Sequence, residues 1–199
     1  NPTEYGTIYS LAELKELYTI CKKLNMYLYV DGARLACALM ANENTIQASD
    51  LAKYVDAFYI GGTKVGALFG EAVVITKPNL IPHFFTIIKQ HGALLAKGRL
   101  LGIQFDTLFT DNLYLKIAKN AIEKAEQLKA IFKEKNYKFF LETDTNQQFI
   151  ILEDSKLKEL RQKISCSFWE KYDDTHTVVR FATSWATPQS SIDTLKEIL

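Results

Sequence analysis

Two short apolar runs, Tyr27-Leu28-Tyr29-Val30 and Ala57-Phe58-Tyr59-Ile60, each stop abruptly at polar or glycine residues. The first gives way to Asp31-Gly32-Ala33-Arg34 and the second to Gly61-Gly62-Thr63-Lys64. An apolar run, a helical stretch and a second apolar run predict a βαβ unit whose polar tips share one edge of a parallel sheet. Residues 26–30 carry no charge, as expected of a strand covered on both faces. Upstream, Ser10-Leu11-Ala12-Glu13 forms a capping box that opens a helix with Leu14, Leu17 and Ile20 or Cys21 at helical spacing. That helix is expected to end near Asn25, a residue type that tolerates the left-handed conformation.

A short helix is expected after Asp31, and Ser49-Asp50 is expected to cap another. Strands are predicted over 55–60 and 72–76, Pro78 starts a new segment, and 92–98 reads as a loop or subunit contact. From 112 to 134 the spacing of Leu115, Ala118, Ile122, Ala125 and Leu128 predicts one long amphipathic helix. Strands near 138–141, 148–152 and 177–182 follow, with helices near 155–164 and from 190 onward. The fold class is α/β. Residues 1–112 are expected to hold a mainly parallel sheet and 113–199 a small C-terminal α/β unit, packed rigidly through the long helix. Trp185, Phe84, Phe85 and the tyrosine-rich strands read as core.

Composition narrows the class. With 24 basic and 23 acidic side chains there is no basic excess to draw the chain to nucleic acid or an anionic membrane. Three cysteines, Cys21, Cys37 and Cys166, are odd in number and lack metal-ligand spacing, which fits a reducing cytoplasm and argues against a metal site. No apolar run approaches the roughly 20 residues that span a bilayer, and the chain does not start with a basic-then-apolar leader. A Gly-x-Gly-x-x-Gly dinucleotide signature is absent.

The candidate chemistry lies at the two strand tips. In open α/β sheets, ligands bind at the carboxyl ends of the strands. An acid and a lysine delivered to one such edge are what a pyridoxal phosphate site requires, the amine forming a Schiff base and the carboxylate pairing with the pyridinium nitrogen. Arg34 and Arg180 offer planar forks of donors suited to a carboxylate, and Arg34 is expected one helical turn from Asp31. Spacing by itself favours plainer readings for two of these, Lys64 as a solvated lysine ending a strand and Asp31 as a helix cap, and leaves a surface charge at Arg180 and a turn role at Thr63 open beside the functional ones.

At these residues the chain resembles the threonine aldolase and β-eliminating lyase family of pyridoxal phosphate enzymes, particularly its low-specificity bacterial type. The likeness runs from Asn1-Pro2-Thr3-Glu4-Tyr5-Gly6-Thr7 through Asp31-Gly32-Ala33-Arg34-Leu35, the stretch from Tyr59 to Gly70 and Gly92-Ala93-Leu94-Leu95-Ala96-Lys97-Gly98. Beyond about residue 112 it thins to Val178-Val179-Arg180-Phe181. The resemblance implies the C-terminal part of a fold type I enzyme, with 1–112 belonging to the large cofactor-binding domain. It implies Lys64 as the Schiff-base lysine and Asp31 as the partner of the pyridine nitrogen. Thr63 is then a donor to the cofactor phosphate, Arg34 a cofactor-binding residue that with Arg180 also clamps the substrate carboxylate, and Lys89 a basic residue near the site.

The reaction implied is aldol cleavage of a β-hydroxy-α-amino acid, threonine to glycine and acetaldehyde, in a homodimer or homotetramer. The same electron sink serves another β-eliminating lyase or a racemase-like enzyme. A non-catalytic fragment is the rival of a different class, because the chain opens inside a motif that lies well within the family's sequence. His83, His91 and His176 match no catalytic position, and the general base stays unassigned.

Overall fold

The computed structural model describes residues 4–199, so Asn1, Pro2 and Thr3 of the opening motif lie outside the described residues. Helix α1 (Leu11–Lys23) opens as expected: Ser10 Oγ accepts from the Glu13 amide while Glu13 Oε2 accepts from the Ser10 amide at 2.7 Å. It closes through Asn25, whose φ of 54° is left-handed. Strand β1 (Tyr29–Val30), helices α2 (Leu35–Met40) and α3 (Ala48–Tyr54), and strand β2 (Ala57–Gly61) complete the βαβ unit, with β1 and β2 parallel. The capping box of α3 is shifted from the expected Ser49-Asp50 start: Gln47 is the cap, and Asp50 accepts from the Gln47 amide at 2.9 Å.

Strand β3 (Glu71–Ile75) runs antiparallel to β2, so the first sheet, ordered β1-β2-β3, is mixed. One face buries Phe58 with Leu14, Leu35, Ile46, Leu51 and Val55. The other differs from expectation. Tyr29 and Val73 are 57% and 60% exposed, and the Tyr29 and Tyr59 rings stack at 6.2 Å, because among the described residues helices cover only the first face.

Two helices fall where no helix was expected, α4 (Phe84–Gln90) and α5 (Arg99–Phe109). Helix α4 buries no residue and α5 only Leu108, although α5 does carry apolar residues at helical spacing, Leu101, Phe105 and Leu108. Phe85 and Trp185, expected in the core, are 66% and 45% exposed, and Phe84 is half-buried. Consecutive left-handed residues, Asp111 and Asn112, then turn the chain into α6 (Leu113–Glu134).

Helix α6 joins the two halves. Its first turns pack Tyr114 and Ala118 against Ala36 and Val65, and its last turns pack Leu128, Ile131 and Phe132 against the second sheet. Strands β4 (Lys138–Leu141) and β5 (Gln147–Glu153), helix α7 (Asp154–Leu160), strands β6 (Ser167–Lys171) and β7 (His176–Ala182), and helix α8 (Gln189–Ile198) make an antiparallel sheet ordered β4-β5-β7-β6 with helices on one side. Strand β6 has no counterpart in the expected elements. A bulge between Phe168 and Glu170 breaks its alternation, which hides it from a period-two pattern.

Asp56, at the base of β2, ties the first sheet together. Its buried carboxylate accepts from Lys22 Nζ at 2.7 Å, the Leu28 amide at 2.8 Å and Lys77 Nζ at 3.0 Å, and its backbone bonds both Leu28 and Thr76. Burial pushes the carboxyl's pKa up, but these donors outweigh burial and hold it at about 2. The native value lies below the unfolded value of about 3.9. The stabilisation is therefore complete above about pH 4 and is lost as pH falls toward 2. We expect Asp56→Asn to cost about 2 kcal/mol at pH 7 and almost nothing near pH 2, read from urea unfolding curves across that range.

Candidate active site

Parallel pairing of β1 and β2 brings both polar tips to one edge, and glycine lets them meet. The Gly61 amide donates to the Gly32 carbonyl at 2.9 Å. A Cβ on Gly32 would lie 1.8 Å from the Tyr59 carbonyl oxygen, and one on Gly61 would lie 2.3 Å from that of Ala33. Both distances are far inside contact range. Any side chain at either position therefore forces the tips apart.

Asp31 does not cap a helix. Its Oδ1 accepts from the Ala33 amide at 3.0 Å, a local turn that delays the start of α2 until Leu35. The same oxygen accepts from the Tyr59 hydroxyl at 2.5 Å. Burial and then the Asp31 hydrogen bond push the Tyr59 phenol pKa up. Tyr59, read from sequence as core, is thus a polar support for Asp31. Arg34 occupies the cap position before α2 rather than a place on its first turn.

Lys64 sits exposed in a single 3-10 turn, Thr63–Val65, which ends at Gly66 with a φ of 97°. Glu71 on β3 shapes that turn from outside, accepting from the Gly62 amide at 2.8 Å. Thr63 Oγ1 donates to the same carboxylate at 3.4 Å. From the far side, the buried Tyr114 hydroxyl on α6 donates to the Gly61 carbonyl at 3.1 Å.

The electrostatics show which groups share a space. Partial burial and then the charge of Arg34 push the Lys64 ammonium pKa down. Arg180 adds to this fall, while Glu71 and Asp31 oppose it. Burial and then Arg180 do the same to Arg34. The Cys37 thiol, in the helix behind, is pushed up to about 11 by burial, with Arg34 and Lys64 pulling it back. Three cations, from β7, the α2 cap and the turn after β2, are therefore near enough to repel one another, with Asp31 and Glu71 opposing that repulsion at Lys64. Like charges gathered at this range are the setting for an anionic ligand. Arg180 Nη1 donates to Gln147 Oε1 at 3.0 Å, and its guanidinium carbon lies 5.5 Å from the Trp169 ring centroid.

Asp31, Arg34, Lys64 and Arg180 are thus brought together, with Thr63 beside Lys64. Lys89 is exposed in the last turn of α4, and no side-chain hydrogen bond or ion pair among the described residues joins it to them. Among the described residues no cluster of His, Cys, Asp or Glu suits a metal ion, and no helix is long and apolar enough to cross a membrane.

Residues 1–155 match the Beta-eliminating lyase family. The chain belongs to the β-eliminating lyase family. A low-specificity L-threonine aldolase from a Pseudomonas species is 30% identical over a 197-residue alignment that covers 96% of this chain and 54% of that protein. The chain spans about half the length of the curated relatives it matches. The solved structure of Leishmania major threonine aldolase superposes with a TM-score of 0.96 at 39% identity, over 100% of this chain and 58% of that one. Sphingomonas wittichii serine palmitoyltransferase, at 13% identity, shares the fold with a TM-score of 0.67 over 93% of this chain and 49% of its own. These likenesses place the β-eliminating lyase chain among fold type I pyridoxal phosphate enzymes.

If the glycine contact sets the separation of the tips, Gly61→Ala will lower unfolding free energy by about 3 kcal/mol. It will also weaken pyridoxal phosphate binding at least tenfold, measured by absorbance titration. Gly102→Ala, inside α5 where an added Cβ meets nothing within 4 Å, will leave cofactor binding unchanged and raise unfolding free energy by up to about 1 kcal/mol.

Proposed function

We propose that this chain supplies the lysine, the ring-nitrogen partner and the carboxylate clamps of a pyridoxal phosphate-dependent lyase that cleaves the Cα–Cβ bond of a β-hydroxy-α-amino acid, in the simplest case threonine to glycine and acetaldehyde. The observation that carries this reading is the backbone contact of Gly32 with Gly61, which brings Asp31 and Lys64 to one strand edge, with Arg34 and Arg180 near enough to lower the proton affinity of Lys64. The threonine aldolase relatives support the choice of substrate class.

The residues present suit the cofactor. Asp31, fixed by two donors on one oxygen, would hold the ring nitrogen, and Lys64 Nζ would hold the aldehyde carbon. Where bound, the cofactor supplies a sink for the electron pair released when a bond to Cα breaks. The lowered proton affinity of Lys64 raises the fraction of neutral amine, the form in which a lysine is nucleophilic. Arg34 and Arg180 bind the substrate carboxylate through paired N–H donors. In doing so they would fix the rotation about Cα and so select which of its bonds breaks. The Ala33 amide and the Tyr59 hydroxyl, both donating to Asp31 Oδ1, limit the rotation of that carboxylate. Exposed Leu68, Leu95, Leu100 and Ile103 support assembly as a homodimer or homotetramer.

The test is product analysis of the full-length protein with pyridoxal phosphate. L-Threonine should yield acetaldehyde and glycine in equal amounts, and Lys64→Ala should lower the rate by at least about a thousandfold. Ammonia and a 2-oxo acid as the main products, from threonine or serine, would overturn the aldol reading in favour of elimination.

A further inference from the structure

The neutral amide of Gln147 holds Arg180 in a fixed orientation without cancelling its charge. Gln147 is fully buried on β5, and the register that pairs Phe149 with Arg180 and Gln147 with Ala182 makes Gln147 and Arg180 diagonal neighbours on one face of the sheet. Its Oε1 accepts from Arg180 Nη1 at 3.0 Å, while its Nε2 donates to the Glu4 carbonyl at 3.3 Å. Arginine has only donors and a carbonyl only acceptors, so both neighbours demand the same orientation of the amide. The Arg180 guanidinium also lies over Trp169, whose ring is held edge-on by Phe149 at 5.0 Å and by Tyr5 at 5.3 Å. Among the described residues Arg180 Nε is buried with no hydrogen-bond partner.

A guanidinium in this setting usually meets a carboxylate, which would satisfy its donors and neutralise it. Here the acceptor is an amide, so the positive charge is kept for a ligand. The geometry points to Gln147 as the positioning residue that turns Arg180 toward the substrate carboxylate, with its other end anchoring the strand at Glu4. This inference rests on the proposed role of Arg180 as a carboxylate clamp.

The experiment compares binding of L-serine and ethanolamine, which differ only by the carboxylate, to the full-length, cofactor-loaded protein, followed by absorbance. The readout is the ratio of the two dissociation constants. Gln147→Met keeps the volume and removes the acceptor. Gln147→Glu keeps an acceptor but neutralises Arg180. Both should shrink the preference for serine at least tenfold while ethanolamine binding stays within about twofold. A merely structural role predicts that the two ligands weaken together in Gln147→Met and that Gln147→Glu keeps its preference for serine, and either result overturns the inference. Should Gln147→Met fail to fold, Gln147→Glu decides alone. Arg180→Ala separates the two claims. If it leaves the ratio unchanged, the clamp reading has failed. If it collapses the ratio while the Gln147 variants keep theirs, only the positioning role has failed.

Discussion

Everything at the candidate site depends on two strand tips touching backbone to backbone. The Gly32–Gly61 contact leaves no room for a single Cβ, and it sets how far Asp31 lies from the turn that carries Lys64. Each surrounding element preserves that contact. Asp56 fixes the register of the strands at their other end, Tyr114 reaches the Gly61 carbonyl from α6, and Glu71 gathers the Gly62 amide from β3. The glycines serve here by lacking bulk more than by adopting unusual dihedrals, which occur just beyond them at Gly66.

Around this contact the charges are assembled from both halves of the chain. Lys64, Arg34 and Asp31 come from the first sheet and its turns, and Arg180 comes from the middle of the second sheet. Helix α6 makes that possible by packing alanines and Tyr114 against the first half and leucine, isoleucine and phenylalanine against the second. Three cations gathered with Asp31 and Glu71 repel one another at rest, and the lowered proton affinity of Lys64 follows partly from that repulsion. An anionic ligand relieves the repulsion, which links ligand binding to the state of the lysine.

Much of this was legible in the sequence, and for identifiable reasons. The α1 capping box, the long apolar stripe of α6 and the uncharged runs before Asp31 and Gly61 are local signals, and the structure has each of them. What escaped was non-local. Tyr59 reads as an apolar strand residue until β1 and β2 pair and its hydroxyl meets Asp31. Glu71 lies one strand away from Lys64, and Gln147 acquires meaning only through the register of β5 and β7. Helix α4 is too short to show a repeat and β6 is broken by a bulge, whereas the helical spacing of Leu101, Phe105 and Leu108 in α5 was present in the sequence. The tyrosine-rich strands were misread as covered because apolar content alone cannot tell a buried sheet face from a bare one.

The most direct test of the central claim, that Lys64 is the reacting amine of this site, is borohydride reduction of the full-length protein with pyridoxal phosphate followed by peptide mass mapping. A reduced phosphopyridoxyl group is expected at a single position, Lys64. A label on another lysine such as Lys89 or Lys97, or spread over many surface lysines with none at Lys64, would contradict it.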